Sequence, residues 1–373
     1  MRVAVIGAGI VGLACAEELV RCGHDVRVFD PDPGGGATRA AAGMLAPAGE
    51  AWHGETDLLR LGVASARLWP EYAARLQAAS GVDIDLRTAG TLLVGQDHDD
   101  LQQMRRTLEV LATQGIAFQE LDRREARAHE PTLSRVAGAT LLPEDHNVNP
   151  RLVAEALLCL LGDRVVRARA TVLDGGVAFA DGTEFGCDAV VVATGAEARS
   201  LVPQVRPVRG ETIRLRGADR PSRVLRARVH GETVYVVPRA GGEVVVGATE
   251  EEHASEPVAT LGAVVRLLHA ARTLVPGLES AEVVEITARH RPGTPDNGPL
   301  IGPHPAVGPV RQVLAVGHYR GGVLLAPVTA RAVRAYVEGG DVPATVRRFV
   351  PSRFSSYGSG SLTPAPHGRV VVP

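Results

Sequence analysis

Val3-Ala4-Val5-Ile6-Gly7-Ala8-Gly9-Ile10-Val11-Gly12 stands almost at the start of the chain and decides how the rest is read. Val3 to Ile6 is a continuous apolar run of strand length. The G-x-G-x-x-G that follows turns the chain into a helix. Gly7 permits a tight turn, Gly9 lets backbone approach a pyrophosphate, and Gly12 lets the helix pack on the strand. The helix ends near Gly23, and its N-terminus favours negative phosphate. Val26 to Phe29 is a second strand, closed by Asp30, 18 residues beyond Gly12, where a carboxylate can bind ribose hydroxyls. Together they form a β-α-β dinucleotide unit. The glycines alone leave NAD and FAD both open.

Two later turns favour FAD. Ala189 to Val192 is a buried strand run closed by Ala193-Thr194-Gly195, placed like the second nucleotide-contacting segment of many flavoproteins. Val313 to Val316 leads through Gly317-His318-Tyr319-Arg320-Gly321-Gly322 into a helix from Ala326 to Val337. Such a late loop can lie near the flavin rings, its helix N-terminus favouring a reduced, anionic flavin. Between these segments the pattern changes. A helix is expected from Leu58 to Ala79, bent at Pro70, and a strand from Leu86 to Val94. Leu101, Met104, Leu108 and Leu111 mark a helix that Gly115 ends. Asn149-Pro150 reads as an N-cap and first helical residue. Strands dominate from Val208 to Ile286, with a hairpin at Ala240-Gly241-Gly242. The expected architecture is α/β: a discontinuous FAD-binding, Rossmann-like domain of glutathione-reductase type from 1–80, 147–205 and 312–349. An α+β substrate domain is inserted as 81–146 and 206–311. The Ser-, Gly- and Pro-rich tail, 350–373, is expected to be poorly ordered.

A chain of 373 residues holds two to three structural units. Its 40 basic and 42 acidic residues give a formal charge of -2, which offers no reason to expect nucleic acid or anionic lipid as partner. No run approaches the ~18 apolar residues of a membrane span. The first strand leaves no room for a signal peptide, so the cytoplasm is the expected location. Cys15 and Cys22 are roughly 10 Å apart on one helix, too far for a disulfide. They are expected to be reduced, like Cys159 and Cys187, and no metal site is expected. Every basic residue is arginine, because the sequence has no lysine. That excludes the usual Schiff-base lysine of pyridoxal phosphate enzymes and the lysine of a Walker loop. Amino-acid chemistry here needs another electron sink.

Nearly the whole chain, from Val3 to about Phe349, resembles the glycine oxidase branch of the D-amino-acid oxidase family of flavoproteins. The blocks that carry the likeness are V-A-V-I-G-A-G-I-V-G, A-A-A-G-M-L-A-P at Ala40 to Pro47, and S-G-V-D-I at Ser80 to Ile84. They continue with Y-V-V-P-R at Tyr235 to Arg239, V-V-G-A-T at Val245 to Thr249, and R-P-G-T-P-D at Arg291 to Asp296. P-L-I-G at Pro299 to Gly302 and G-H-Y-R-G-G-V-L-L-A-P at Gly317 to Pro327 complete the order.

The resemblance implies non-covalent FAD and hydride transfer from the substrate α-carbon to flavin N5. Glycine would become glyoxylate and ammonia through an imine, with oxygen leaving as hydrogen peroxide. Dehydroglycine for the thiazole of thiamine is a further implied role. Arg291 would pair with the substrate carboxylate, Tyr235 would support it through its hydroxyl, and Arg320 would stand beside the substrate. Gly43, Met44 and Glu250 would line the pocket. Cofactor contacts would come from Gly7, Gly9, Ile10, Val11, Gly12, Asp30, Ala42, Gly43, Met44, Val172, Ala193, Thr194, Gly195, His318, Arg320, Gly321, Gly322, Val323 and Leu324. The physics agrees: an arginine fork matches a carboxylate, and fixing the carboxylate aims the α C–H. His318 also reads as a packed, hydrogen-bonding histidine. Two positions depart from the family pattern. Glu250 stands where an apolar residue is expected, and Arg39 where a small hydroxyl residue is common. Alternatives are a sarcosine or small D-amino-acid oxidase, a quinone-linked D-amino-acid dehydrogenase, an NAD-dependent dehydrogenase, and a non-catalytic flavoprotein. Oxygen and a homo-oligomeric partner fit the family, but oligomeric state is not readable from the chain.

Overall fold

The computed structural model describes residues 1–173, 175–217, 219–252, 256–305 and 310–357. Its first sheet has six strands, in the order Leu300–Pro303, Arg311–Val316, Ala189–Val192, Arg2–Ile6, Asp25–Phe29 and Val165–Val166. All neighbours are parallel except Leu300–Pro303, which runs antiparallel to Arg311–Val316. Parallel central strands are covered on both faces and so are apolar throughout. Val3, Val5, Val190 and Val191 accordingly have no exposed surface. Helices Ile10–Arg21, Pro150–Leu161 and Ala326–Glu338 share one large core with Val3, Val5 and Val191. A three-stranded antiparallel sheet, Ala170–Leu173, Gly176–Phe179 and Glu184–Gly186, packs with Phe29 and Val192 in a second core.

An eight-stranded sheet forms the other layer. Its order is Glu282–Gly293, Arg206–Arg216, Glu243–Gly247, Glu232–Pro238, Val224–Val229, Thr91–Gly95, Gly138–Leu142 and Gln119–Leu121. Strand alternation sorts its side chains. Ile213, Leu215, Leu225, Ala227, Val234, Val236, Val244 and Val246 form a core under helix Leu261–Leu274. Thr212, Arg226, Tyr235, Val237, Val245 and Gly247 take the opposite face, where Val237 and Val245 pack with Ala42, Met44 and Tyr235. That face looks toward the segment after the first β-α-β unit.

Several boundaries differ from expectation. Leu300–Pro303 belongs to the six-stranded sheet, because its apolar residues pair with Arg311–Val316, so the return to that sheet precedes residue 312. Helix Leu261–Leu274 lies inside a stretch read as strands. Its Leu267, Ala270, Ala271 and Leu274 follow helical spacing on the buried face. The helix expected from Leu58 to Ala79 is two, Thr56–Ala66 and Trp69–Ser80, with Pro70 in the first turn of the second. The strand expected over Leu86–Val94 is confined to Thr91–Gly95. Pro351–Tyr357 is a short 3-10 helix rather than loose tail, with Arg353 paired to Asp296 at 2.8 Å. The rest of that tail, 358–373, lies outside the described residues.

Candidate active site

Because the central strands are parallel, the turns at Gly7, Asp30, Ala193 and Gly317 all leave the same edge of the six-stranded sheet, the edge where such sheets bind ligands. Gly7 has φ of 102°, and a Cβ there would lie 2.4 Å from the Ala193 carbonyl oxygen. A Cβ on Gly12 would lie 1.9 Å from the Gly7 oxygen. These two glycines serve close packing. A Cβ on Gly9 would meet only Thr38 Oγ1, at 3.5 Å, so this glycine keeps open the space before the helix. The helix N-cap, Gly9, carries no side-chain cap, and the first turn has no acid. Ile10 N–H donates to Thr38 Oγ1 at 2.9 Å. Asp30 Oδ2 accepts from Ala8 N–H at 2.6 Å and Oδ1 from Asp32 N–H at 2.7 Å, which fixes the carboxylate at the strand end. These residues fit an adenine dinucleotide: a cradle cleared by Gly9, a helix N-terminus free of acids for its phosphates, and a held carboxylate for its ribose.

The other expected cofactor residues are dispersed around this edge. Thr194 and Gly195, with φ of 58°, open a short 3-10 turn. Val172 packs against the core that contains Ile6 and Phe29. Val323 and Leu324 are buried in the first core behind Gly321 and Gly322. His318 is buried, its Nε2 lies 3.0 Å from Thr329 Oγ1, and burial lowers its pKa to about 3. A neutral, committed imidazole of this kind holds the late loop to its helix.

Above this edge lies the outer face of the eight-stranded sheet. Arg226 and Tyr235 are directly paired across strands, and Tyr235 is paired with Gly247. A Cβ on Gly247 would lie 2.4 Å from the Tyr235 hydroxyl oxygen. A Cβ on Gly210 would lie 2.1 Å from Arg291 Nη1 and 2.4 Å from its Cζ. The two glycines therefore let a phenol and a guanidinium lie flat on the sheet. Arg291 Nη1 donates to the Thr249 carbonyl at 2.9 Å. Burial pushes the Tyr235 phenol above its ordinary value, with Arg291 and Arg226 opposing.

Arg320 enters from the late loop. Its Nε lies 3.1 Å from Glu50 Oε2, and its Nη1 3.3 Å from Glu250 Oε2. Its guanidinium also sits 4.8 Å from the centre of the Tyr319 ring, and the Tyr319 hydroxyl donates to Glu250. Arg226 binds Glu50 as well, and its Nη1 lies 3.6 Å from Met44 Sδ. Burial raises the Glu50 pKa, but Arg226 and Arg320 outweigh it and hold the carboxyl below its ordinary value. Gly43, with φ of 71°, passes so close to the Val148 carbonyl that a Cβ would lie 2.0 Å away. Behind it Arg239, 1% exposed, donates to Asn147 Oδ1 at 2.6 Å and to the Ala42 carbonyl. Burial lowers its pKa to about 10. Arg39 points away from this cluster, to Glu285 at 3.2 Å.

Tyr235, Arg291, Arg320, Met44 and Glu250 are thus brought into one neighbourhood. Sequence reasoning missed Glu50, Arg226, Tyr319 and Arg239. Arg226 alternates with buried Leu225 and Ala227, a pattern that marks an outward position but not what it faces. Glu50 follows the A-A-A-G-M-L-A-P block by three residues, and Tyr319 stands inside the late loop motif.

A mostly parallel nucleotide sheet roofed by a mostly antiparallel sheet that carries arginines defines a flavin-type oxidoreductase. The chain belongs to the DAO family of FAD dependent oxidoreductases, whose model matches residues 2–336. It is similar to glycine oxidase from Geobacillus kaustophilus (strain HTA426), 33% identical over 90% of this chain and 92% of that one. It is also similar to the bifunctional protein ThiO/ThiG of Trichormus variabilis, 30% identical over 96% of this chain but only 56% of that protein, so it spans about half of it. The crystal structure of the Geobacillus kaustophilus glycine oxidase superposes with a TM-score of 0.86 at 31% identity, covering 94% of this chain and 99% of that one.

Proposed function

We propose that this chain oxidises glycine to glyoxylate and ammonia, with release of hydrogen peroxide. The observation that carries this is Arg291. Of Arg226, Arg291 and Arg320 it is, among the described residues, the one with no carboxylate partner, its hydrogen bond going to the Thr249 carbonyl; Arg239, which also lacks one, is 1% exposed and committed to Asn147 and the Ala42 carbonyl. Arg226 and Arg320 are both occupied by acids. One uncompensated fork suits one substrate carboxylate. Tyr235, flat on Gly247 beside it, would donate its hydroxyl to the same carboxylate, and its raised pKa keeps it a donor. Gly43, Met44 and Glu250 would line the pocket, and Arg320 would close its side. Gripping the acid end turns the α C–H toward the edge where Gly7, Ala193 and Gly317 leave the nucleotide sheet, so catalysis is chiefly orientation. FAD held at that edge would supply the two-electron acceptor for the α-carbon hydride and the reactivity toward oxygen from which peroxide arises. Water then adds to the released imine, and no general base is needed when the amine reacts neutral.

In the same way, Gly7, Gly9, Ile10, Val11, Gly12, Asp30, Ala42, Val172, Ala193, Thr194, Gly195, His318 and Gly321 to Leu324 would hold the cofactor, mainly by backbone. The six-stranded sheet would serve FAD and the eight-stranded sheet the substrate. Likeness to ThiO/ThiG supports supply of dehydroglycine to thiamine thiazole synthesis. Among the described residues no helix is long and apolar enough to cross a membrane, and a cytoplasmic location suits that role.

The test is peroxide production by the purified yellow protein with glycine, sarcosine, D-alanine and D-proline. Highest kcat/KM with glycine is expected. Turnover of D-alanine or D-proline alone would replace glycine with a larger D-amino acid. Electrons passed to a quinone, with no peroxide, would make it a dehydrogenase.

A further inference from the structure

We propose that Glu50 and Glu250 set the charge of the site, restricting it to substrates with a single carboxylate. Three guanidiniums converge there: Arg226, Arg291 and Arg320. Left alone, they would bind a dicarboxylate better than a small amino acid. Glu50 bridges two of them, Arg226 and Arg320, and Glu250 takes the other edge of Arg320. Of these three guanidiniums, Arg226 and Arg320 are matched by Glu50 and Glu250 and Arg291 is not.

Glu50 is built into place rather than free to swing. It lies on the turn Ala46–Ala51, closed by Glu50 N–H to the Ala46 carbonyl and Ala51 N–H to the Ala48 carbonyl, both 3.1 Å. Asp145, 1% exposed, receives Ala48 N–H on Oδ1 at 3.1 Å and Gly49 N–H on Oδ2 at 2.6 Å. Gly49 passes so closely that a Cβ would lie 3.1 Å from both Asp145 Oδ2 and Arg226 Cδ. Asp145 is thus a positioning residue for Glu50. Glu250 is fixed from the other side by the Tyr319 hydroxyl.

This rests on Arg291 as the carboxylate site, and it extends that role to what the site refuses. The experiment is calorimetric titration of the FAD-loaded protein with acetate and with malonate, which needs no turnover. The native protein should bind malonate no better than acetate. Glu50→Gln should improve malonate relative to acetate by about tenfold, from the loss of one nearby opposing charge. Glu250→Gln should act in the same direction and less strongly, since its side chain is 47% exposed. An unchanged acetate-to-malonate ratio in Glu50→Gln with flavin retained overturns the proposal. If Glu50→Gln does not fold, an unchanged ratio in Glu250→Gln overturns it instead. Arg291→Ala separates the two claims: acetate binding that survives it refutes the role of Arg291, whatever the ratios are.

Discussion

Gly210→Ala tests the site with one methyl group. Gly210 does not need the left-handed region, so alanine costs the backbone nothing by conformation. The new Cβ would lie 2.1 Å from Arg291 Nη1, 2.4 Å from Cζ and 2.5 Å from Nη2. Comfortable contact begins near ~3.5 Å, so the guanidinium must retreat by about 1 Å or more. It is the free end of a flexible side chain, and the fold should survive. What suffers is its aim. A charge-assisted hydrogen bond contributes about 1.5–3 kcal/mol, and losing much of one raises KM roughly 10- to 100-fold. The assay is steady-state peroxide production from glycine, alongside flavin content and the thermal midpoint. Flavin and midpoint should stay near native while KM rises. Native KM with full flavin would show that the fork above Gly210 does not grip substrate.

Three further outcomes are expected. Arg291→Ala should raise the KM for glycine by about 30-fold or more while FAD stays bound, because it removes a bidentate partner worth ~2–3 kcal/mol; unchanged KM removes Arg291 from the site. Denaturation followed by filtration should release all the flavin, since no cysteine follows Cys187 to anchor it; colour that stays with the protein contradicts this. Burial raises Asp145 from its ordinary 3.8 to about 7, with backbone N–H bonds from Gly49 and Ala48 opposing. Because the folded value is the higher one, its contribution to stability is full below about pH 4 and lost as pH rises through 7, up to about 4 kcal/mol. Asp145→Asn should therefore flatten the fall in urea midpoint between pH 4 and 7.5, and an equal slope in both proteins would refute the assignment.

The nucleotide unit was legible because its constraints are local. Gly7, Gly9, Gly12 and Asp30 act within one turn and one strand, so their spacing records their jobs. The order of the three turns followed from strand runs that are apolar on both faces. The roofing sheet was less legible. Its positions matter through partners far away in sequence, such as Arg226 against Glu50 or Arg291 over Gly210. Arg291 and Tyr235 were reached only through family likeness. Glu50 and Arg226 carried no such mark, because an acid and an arginine 176 residues apart gain meaning only once packing joins them. Helix Leu261–Leu274 was missed because its buried stripe, Ala263, Leu267, Ala270, Ala271 and Leu274, is mostly alanine, while Val264 and Val265 beside it are strand formers.

The alternation of the eight-stranded sheet puts stability and chemistry on opposite sides of one backbone. Leu225, Val234, Val236 and Val246 look inward to the helix, while Arg226, Tyr235 and Gly247 look outward to the arginine cluster. Point substitutions at outer polar positions such as Arg226 leave the core under the helix intact, whereas Val237 and Val245 on that same side are themselves packed. A single inserted or deleted residue in any of these strands exchanges the two sides at once. Variation in this enzyme should therefore come as replacements within strands, with changes of length confined to the turns between them.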